Sequence, residues 1–316
     1  MNNSTLHIGT RGSPLALRQA TWVQDRLTER HPRLRVELVI IKTQGDKIQD
    51  VPLSQVGGKG LFVKEIEEAL LNHTVDLAVH SLKDMPGDLP AGLKIGAVPE
   101  REDPRDVFLS SKHRRLEEVP PQAKIGTSSL RRKAQILFRR PDLEIISLRG
   151  NLDTRIRKMD SQGLDGIVLA AAGLHRLGQG ELIRHYLETD FSLPAVGQGA
   201  LALEIRDPDP GTAAAIAFLH HEPTALCTRA ERAFLKRLEG GCQVPLAGQA
   251  RMVGDRLILT GLIAGLEGEV LYREERSGPV SQPEALGTAL ADRLLQRGGR
   301  EILEKAYGFQ GLSGQP

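Results

Sequence analysis

The sequence predicts an α/β protein, with two units of βαβ repeats meeting at a hinged cleft and a smaller α+β domain after them. Three observations carry this expectation. Up to about residue 205, short apolar runs alternate with amphipathic helical patterns, which calls for sheets with helices packed against them. Two stretches dense in Gly, Pro or charge, 100–106 and 192–200, interrupt the alternation where the chain could cross between units. Beyond about His220 the pattern changes to a long helix, hairpin-like strands and a closing helix.

In chain order, Leu6 to Gly9 reads as a strand, and Ser13-Pro14 as the N-cap and first position of a helix running to about Arg30. Ala16, Ala20, Val23 and Leu27 share one face of that helix, and His31-Pro32 ends it. Val36 to Lys42 is the next strand. Thr43 to Lys59, with Gly45, Pro52, Gly57 and Gly58, has little periodicity and reads as a long loop of the kind that often forms a lid. A helix over Gly60 to Asn72, with Phe62, Ile66, Ala69 and Leu70 on one side, precedes buried strands at 76–81 and 94–99; a largely parallel sheet is expected. Glu100 to Asp106 is a turn-rich crossing.

The second unit repeats the logic: strand 124–127, helix from Ser129, strand 143–148, helix from Asn151, strand 166–170 and helix from Ala171. Ser192 to Ala200 returns the chain to a strand at 200–205. A helix to Glu239, strands at 249–253, 257–263 and 270–275, and a helix over 282–306 follow. The expected domains are 1–101 with 195–219, then 102–194, then 220–316. In open α/β sheets, ligands bind where strands feed helix N-termini, and those termini favour anions.

Composition narrows the function. The 316 residues suit two or three domains, and 40% hydrophobic with 26% charged residues is ordinary for a globular protein. Forty-two Lys and Arg against 40 Asp and Glu leave a formal charge of +2, so no global field argues for nucleic acid or a membrane surface, and any anion site must be local. The start has no signal-like segment and no apolar run could span a bilayer, so a cytoplasmic protein is expected. The two cysteines show no metal-ligand spacing; Cys227, in a helical pattern, reads as a small buried hydrophobe.

Cys242 differs, since it follows Gly240-Gly241 where a charged helix breaks, a turn that can face a cleft. By spacing alone a buried thiol is an equal reading. Arg131 and Arg132 sit at a helix start, where the dipole already presents positive charge, and that local conflict points to function. Asp84, ahead of Met85-Pro86, is locally a turn residue. His80, in an apolar strand, reads as a satisfied core histidine. Ser13, Ser81, Thr127 and Ser129 are natural caps.

Seven runs in register resemble the porphobilinogen deaminase (hydroxymethylbilane synthase) family. They are Gly9-Thr10-Arg11-Gly12-Ser13-Pro14-Leu15-Ala16-Leu17, Gly57-Gly58-Lys59-Gly60-Leu61-Phe62, Ala78-Val79-His80-Ser81-Leu82-Lys83-Asp84, Gly126-Thr127-Ser128-Ser129-Leu130-Arg131-Arg132, Leu148-Arg149-Gly150-Asn151, Leu193-Pro194-Ala195-Val196-Gly197-Gln198-Gly199 and Glu239-Gly240-Gly241-Cys242. Together they span nearly the whole chain. The resemblance implies two periplasmic-binding-protein-like βαβ domains around a cleft, and a third domain carrying a dipyrromethane cofactor as a thioether on Cys242. It also implies head-to-tail joining of four porphobilinogen molecules with loss of ammonia, then hydrolytic release of the linear tetrapyrrole.

That chemistry suits the residues. Pyrrole acetates and propionates bring many carboxylates into one cleft, and guanidinium forks bind carboxylates bidentately. By resemblance, Asp84 is the catalytic carboxylate, expected to be buried, that stabilises positive charge on the pyrrole nitrogen of the deaminated azafulvene. Cofactor contacts fall to Ser81, Lys83, Asp84, Ser129, Arg131, Arg132, Arg149 and Arg155. Substrate contacts fall to Arg11, Ser13, Lys59, Thr127, Arg149, Arg155, Arg176 and Gln198. Arg155 could instead be a surface residue, and Gln198 a hinge residue. Gln55 stands where some relatives have Lys, which weakens any anion contact there.

Cys242 follows a helix C-terminus and Glu239, neither of which favours a thiolate, so it is expected to anchor the cofactor and not to act as a turnover nucleophile. A monomer with a small-molecule substrate is expected. The rival reading is a non-enzymatic carboxylate-binding module of the periplasmic-binding type, which would have no need of Cys242.

Overall fold

The computed structural model describes residues 5–47, 63–239 and 244–307. The first unit starts with β1 (Thr5–Thr10), α1 (Pro14–Arg30), β2 (Arg35–Ile40), the short α2 (Gln44–Lys47), α3 (Lys64–Leu71), β3 (Leu77–Ser81) and β4 (Leu93–Ala97). The second holds β5 (Asp106–Leu109), β6 (Lys124–Gly126), α4 (Leu130–Arg139), β7 (Glu144–Ile146), α5 (Leu152–Ser161), β8 (Gly166–Ala170), α6 (Ala171–Arg176) and β9 (His185–Leu187). The chain then returns as β10 (Leu201–Arg206) and α7 (Pro210–Ile216). It ends in α8 (Glu222–Arg237), β11 (Leu246–Val253), β12 (Arg256–Ala264), β13 (Leu271–Pro279), α9 (Pro283–Leu294) and α10 (Arg300–Tyr307).

The two larger sheets share one plan. Their strand orders are β2-β1-β3-β10-β4 and β7-β6-β8-β5-β9, so each has three parallel strands, then a strand that has crossed from the other unit, then an edge strand. The crossing strands run antiparallel, and the sheets are mixed where a largely parallel arrangement was expected. The reason lies in where they enter. Leu201 of β10 pairs with Ser81 at the end of β3, and Asp106 of β5 pairs with Ala170 at the end of β8. Both crossing strands therefore begin at the cleft edge and run away from it.

Helices cover each sheet as the periodicity requires. Ala20, Val23 and Leu27 of α1 are fully buried with Leu6, Ile8, Leu77 and Val79 of the sheet, while Ala16, expected on that face, is only half-buried. Phe108 and Ile125 pack on one side of the second sheet, Val107 and Ile167 on the other. In the third unit, Phe234 of α8 is sealed beneath Gly248 and Gly261 of a three-stranded antiparallel sheet. Burying such a side chain stabilises by roughly 1.5–3 kcal/mol.

Several boundaries differ from expectation. Residues 44–47 are helical, not loop; α3 is described from Lys64, and 60–62 lie outside the described residues. Residues 282–306 are not one helix: a widened turn at Leu295–Gly299 separates α9 from α10, because Gly298 takes φ 112° with the Tyr272 ring packed close against it. The sequence reading also missed β5, β9 and α7, which are short or lie within charged runs.

Candidate active site

The candidate residues gather at the C-terminal ends of parallel strands. Arg11 and Ser13 follow β1; Lys83 and Asp84 form a single turn of 3₁₀ helix after β3; Thr127 and Ser129 follow β6; Arg149 follows β7, with Arg155 on α5; Arg176 closes α6 after β8. The two edges face each other: Arg18 Nε of α1 donates to the Arg176 carbonyl (3.2 Å), and Arg176 Nη2 donates to the Gly199 carbonyl (2.7 Å). From the third unit, Arg232 Nη2 donates to the carbonyls of Pro86 and Gly87, bracing the segment after Asp84.

The expected caps divide. Ser13 Oγ accepts from the Ala16 N–H and Ser129 Oγ from the Arg132 N–H, so both cap helices. Ser81 Oγ instead pairs with the Gln19 side chain, and Thr127 Oγ1 accepts from the Ser129 N–H. His80 is a buried partner of Glu204 (2.9 Å), as its apolar strand suggested. Cys227 is buried too, with its thiol pushed up to about 11, first by burial and then by Glu231.

Arg131 and Arg132 are buried, which excludes a solvated helix face, and they share one carboxylate. Asp106 accepts from Arg131 Nη1 (2.7 Å) and Nη2 (3.1 Å) and from Arg132 Nε (3.0 Å) and Nη2 (2.8 Å). It also accepts from Ser192 Oγ (2.7 Å) and Gln198 Nε2 (2.9 Å). Burial alone would raise its carboxyl, but the two guanidiniums hold it well below the usual carboxylate range. Gln198 joins the two crossing segments, with Nε2 also donating to the Pro104 carbonyl (2.7 Å) and Oε1 accepting from Lys83 Nζ (3.5 Å).

Arg149 and Arg155 have no such counterion among the described residues. Among the described residues, the guanidinium of Arg155 makes one hydrogen bond, Nε to the Gly150 carbonyl (2.9 Å), and that of Arg149 makes none. Arg155 is lowered to about 10, by burial first, then by Arg132, with Asp84 opposing and Arg149 adding to the shift. Burial lowers Arg176 to about 10 as well, with Glu102 opposing. The Lys83 side chain is exposed, yet the surrounding protein desolvates its ammonium, which is lowered to about 8. Desolvation leads that shift; Asp84 and Asp106 oppose it and Arg132 and Arg131 reinforce it.

Asp84 is exposed to the cleft, where burial was expected, and its carboxylate has no hydrogen bond or ion pair with another described residue. It is not the self-bonded turn residue that its local sequence suggests. An open carboxylate stands within a group of under-neutralised cations. Lys59, Gln55 and Cys242 lie outside the described residues.

Two functional anchors escaped the sequence reading. Asp106 was read as the end of a turn-rich run; the one signal toward it, the Arg131-Arg132 pair at a helix start, shows that a counter-charge is needed there but not whether a ligand or the chain supplies it. Glu231 of α8 accepts from Arg101 (2.5 and 3.2 Å), from the Gly197 N–H (2.7 Å) and from the Ala250 N–H (2.8 Å), tying the third unit to both crossings.

Comparison with known proteins supplies the context for this geometry. The family described as "Porphobilinogen deaminase, dipyromethane cofactor binding domain" matches residues 6–214, and "Porphobilinogen deaminase, C-terminal domain" matches 225–296. The chain belongs to the porphobilinogen deaminase family. It is 56% identical over 302 residues to the porphobilinogen deaminase of Pelobacter propionicus, covering 96% of this chain and 97% of that protein. The Syntrophotalea carbinolica porphobilinogen deaminase is 57% identical over 303 residues, covering 96% of each. A putative methionine-binding lipoprotein from Bacillus subtilis, a solved structure, aligns with TM-score 0.43 at 10% identity, over 70% of this chain and 92% of that one, too low to carry an argument.

The donor set fits the cofactor that this family's domain binds. A dipyrromethane presents four carboxylates, and the cleft offers Arg149, Arg155 and Lys83 with donors left over and with positive charge that the protein does not neutralise. No helix among the described residues is long and apolar enough to cross a membrane.

Proposed function

We propose that the chain condenses four porphobilinogen molecules head to tail, releasing ammonia at each step, on a dipyrromethane held as a thioether by Cys242, and hydrolytically frees hydroxymethylbilane. The observation that carries this is the open Asp84 carboxylate among Lys83, Arg149 and Arg155, in a chain of this family. A carboxylate-binding module needs the cations but not that acid.

Arg149 and Arg155 would hold cofactor acetates and propionates, together with Lys83, Ser81 and Ser129; Arg131 and Arg132 would contribute from behind, through the Asp106 pairing. Arg11, Ser13, Thr127, Arg176 and Lys59 are the proposed contacts of the incoming substrate, whereas the buried Gln198 side chain is taken up by Asp106, Pro104 and Lys83. When bound, the dipyrromethane would supply the nucleophilic pyrrole carbon for the first joining, and the free carbon of the last-added ring serves each later one. Asp84 stabilises the positive charge that develops on the substrate pyrrole nitrogen as its C–N bond breaks, and the fixed cations orient the carboxylates with no rearrangement during the reaction. The leaving amine departs as ammonia, and the proton displaced by the new C–C bond goes to water.

We further propose the division 1–101 with 195–219, 102–194 and 220–316, a monomer, and a cytoplasmic location. Intact mass of the purified protein tests the chemistry. An added mass of two linked pyrroles, lost in Cys242→Ser, and a ladder of single pyrrole increments after brief exposure to porphobilinogen are expected. Active protein of unmodified mass would overturn the attachment.

A further inference from the structure

We propose that Asp106 is a positioning residue for this reaction: it orients Lys83 beside Asp84 by fixing the amide of Gln198. The inference rests on the proposed function but goes beyond it, since Asp106 lies behind the cleft, fully buried, and touches neither reactant.

The geometry makes the link directional. A carboxylate and a backbone carbonyl only accept, so both amide hydrogens of Gln198 are taken, one by Asp106 Oδ1 (2.9 Å) and one by the Pro104 carbonyl (2.7 Å). That leaves Oε1 as the group turned toward Lys83, 3.5 Å from its Nζ, where it accepts from the ammonium. Flipping the amide would set two donors against the ammonium and an oxygen against the Asp106 carboxylate. Asp106 keeps its own orientation because Arg131, Arg132 and Ser192 fill its remaining lone pairs. Gly197 fits the same join: with φ +72°, an added Cβ would lie 3.1 Å from the Lys83 nitrogen, so the crossing rests directly on the turn that carries Lys83 and Asp84.

Asp106 also acts on Lys83 by charge. The charged groups facing Lys83 are Asp84, Arg132, Asp106 and Arg131. Removing the Asp106 charge leaves two buried guanidiniums uncompensated behind the ammonium and frees the amide to turn.

The test is the titration of Lys83 itself, read by the pH dependence of its acylation with an amine-selective reagent and peptide mass mapping. The wild-type midpoint, measured on the same cofactor-loaded protein, is the reference. Asp106→Asn is expected to move it down by at least about half a pH unit, and Gln198→Leu, which leaves the Arg131–Asp106–Arg132 group in place, to move it down by less. The alkaline limb of the kcat/KM profile should move with it in both variants. Should Asp106→Asn fail to fold, Gln198→Leu decides alone. Midpoints unchanged in the folded variants would overturn the proposal, as would a fall in activity without a shift of the limb. Failure of the wild type to form tetrapyrrole would instead reject the proposed function, leaving the Lys83 titration to stand or fall separately.

Discussion

Two groups of arginines line the second unit, and they differ in one respect. Arg131 and Arg132 share a buried carboxylate supplied by the chain; Arg149 and Arg155, on the next strand-to-helix connection, have no acid in contact among the described residues. Burial acts on both groups. In the first, Asp106 opposes it through direct ion pairs, although burial still leaves Arg132 lowered; in the second, Arg132 and Arg149 add to it, the unbonded Asp84 opposes it, and Arg155 falls to about 10. The contrast teaches that an arginine's place in the fold is read from its counterion: a cation paired by a buried acid joins elements of the fold, and one without such a partner keeps donors available for an anion.

Stability gives the largest expected separation. Arg131→Leu leaves Asp106 with an incomplete partner set in a buried site and should destabilise by about 3–5 kcal/mol, measured by urea unfolding. Arg155→Leu should change stability by no more than about 1 kcal/mol. Equal losses would erase the contrast.

Turnover separates the open acid from the paired one. Asp84→Ala should lower kcat by about 10²–10³-fold with an unchanged unfolding midpoint and with the dipyrromethane mass retained. Near-normal turnover would remove Asp84 from its electrostatic role.

A smaller effect tests the unpaired cations directly. Arg149→Leu should reduce kcat/KM by roughly tenfold to a hundredfold, as for loss of a charge-assisted hydrogen bond, and should flatten the salt dependence of substrate binding. An unaltered salt dependence would mean that Arg149 meets no substrate or cofactor carboxylate.

The smallest effect carries the comparison to acids. Glu67 of α3 is buried near Glu204 and His80, with its Oε1 lacking a partner, and is raised to about 7, by burial first and then by Glu204, with His80 opposing. Its folded value lies above its ordinary 4.5, so between those pH values the native state binds more protons than the unfolded chain and stability falls as pH rises. Glu67→Gln should remove that slope, worth on the order of 1 kcal/mol, in unfolding measured from pH 4.5 to 7. Unlike the cleft arginines, this acid is sealed from any ligand, so a persisting slope would assign the titration to another group.

The legible parts of the protein were those with a local cause. Ser13-Pro14 and Ser129 announced their helices because capping is a contact over three residues, and both caps are present. The family runs brought Lys83, Asp84, Arg149 and Arg155 into view, and the structure gathers them at facing sheet edges. The direction of β10 and β5 was not legible, because a strand's residues do not state at which edge it enters. The break at Gly298 was likewise hidden within a helical pattern, since one glycine in a helix is usually only tolerated.

What the sequence determined by itself, then, was the α/β alternation, the two segments that cross between sheets and the set of charged residues at helix starts, all governed by spacing along the chain. Only the tertiary structure decided which charges neutralise each other. Asp106 is 25 residues from Arg131 and 92 from Gln198, and it became their common partner when β5 entered the second sheet at the cleft edge. Electrostatic energy depends on distance and burial in space, so the difference between an arginine paired with a buried acid and one without such a partner appears only after folding.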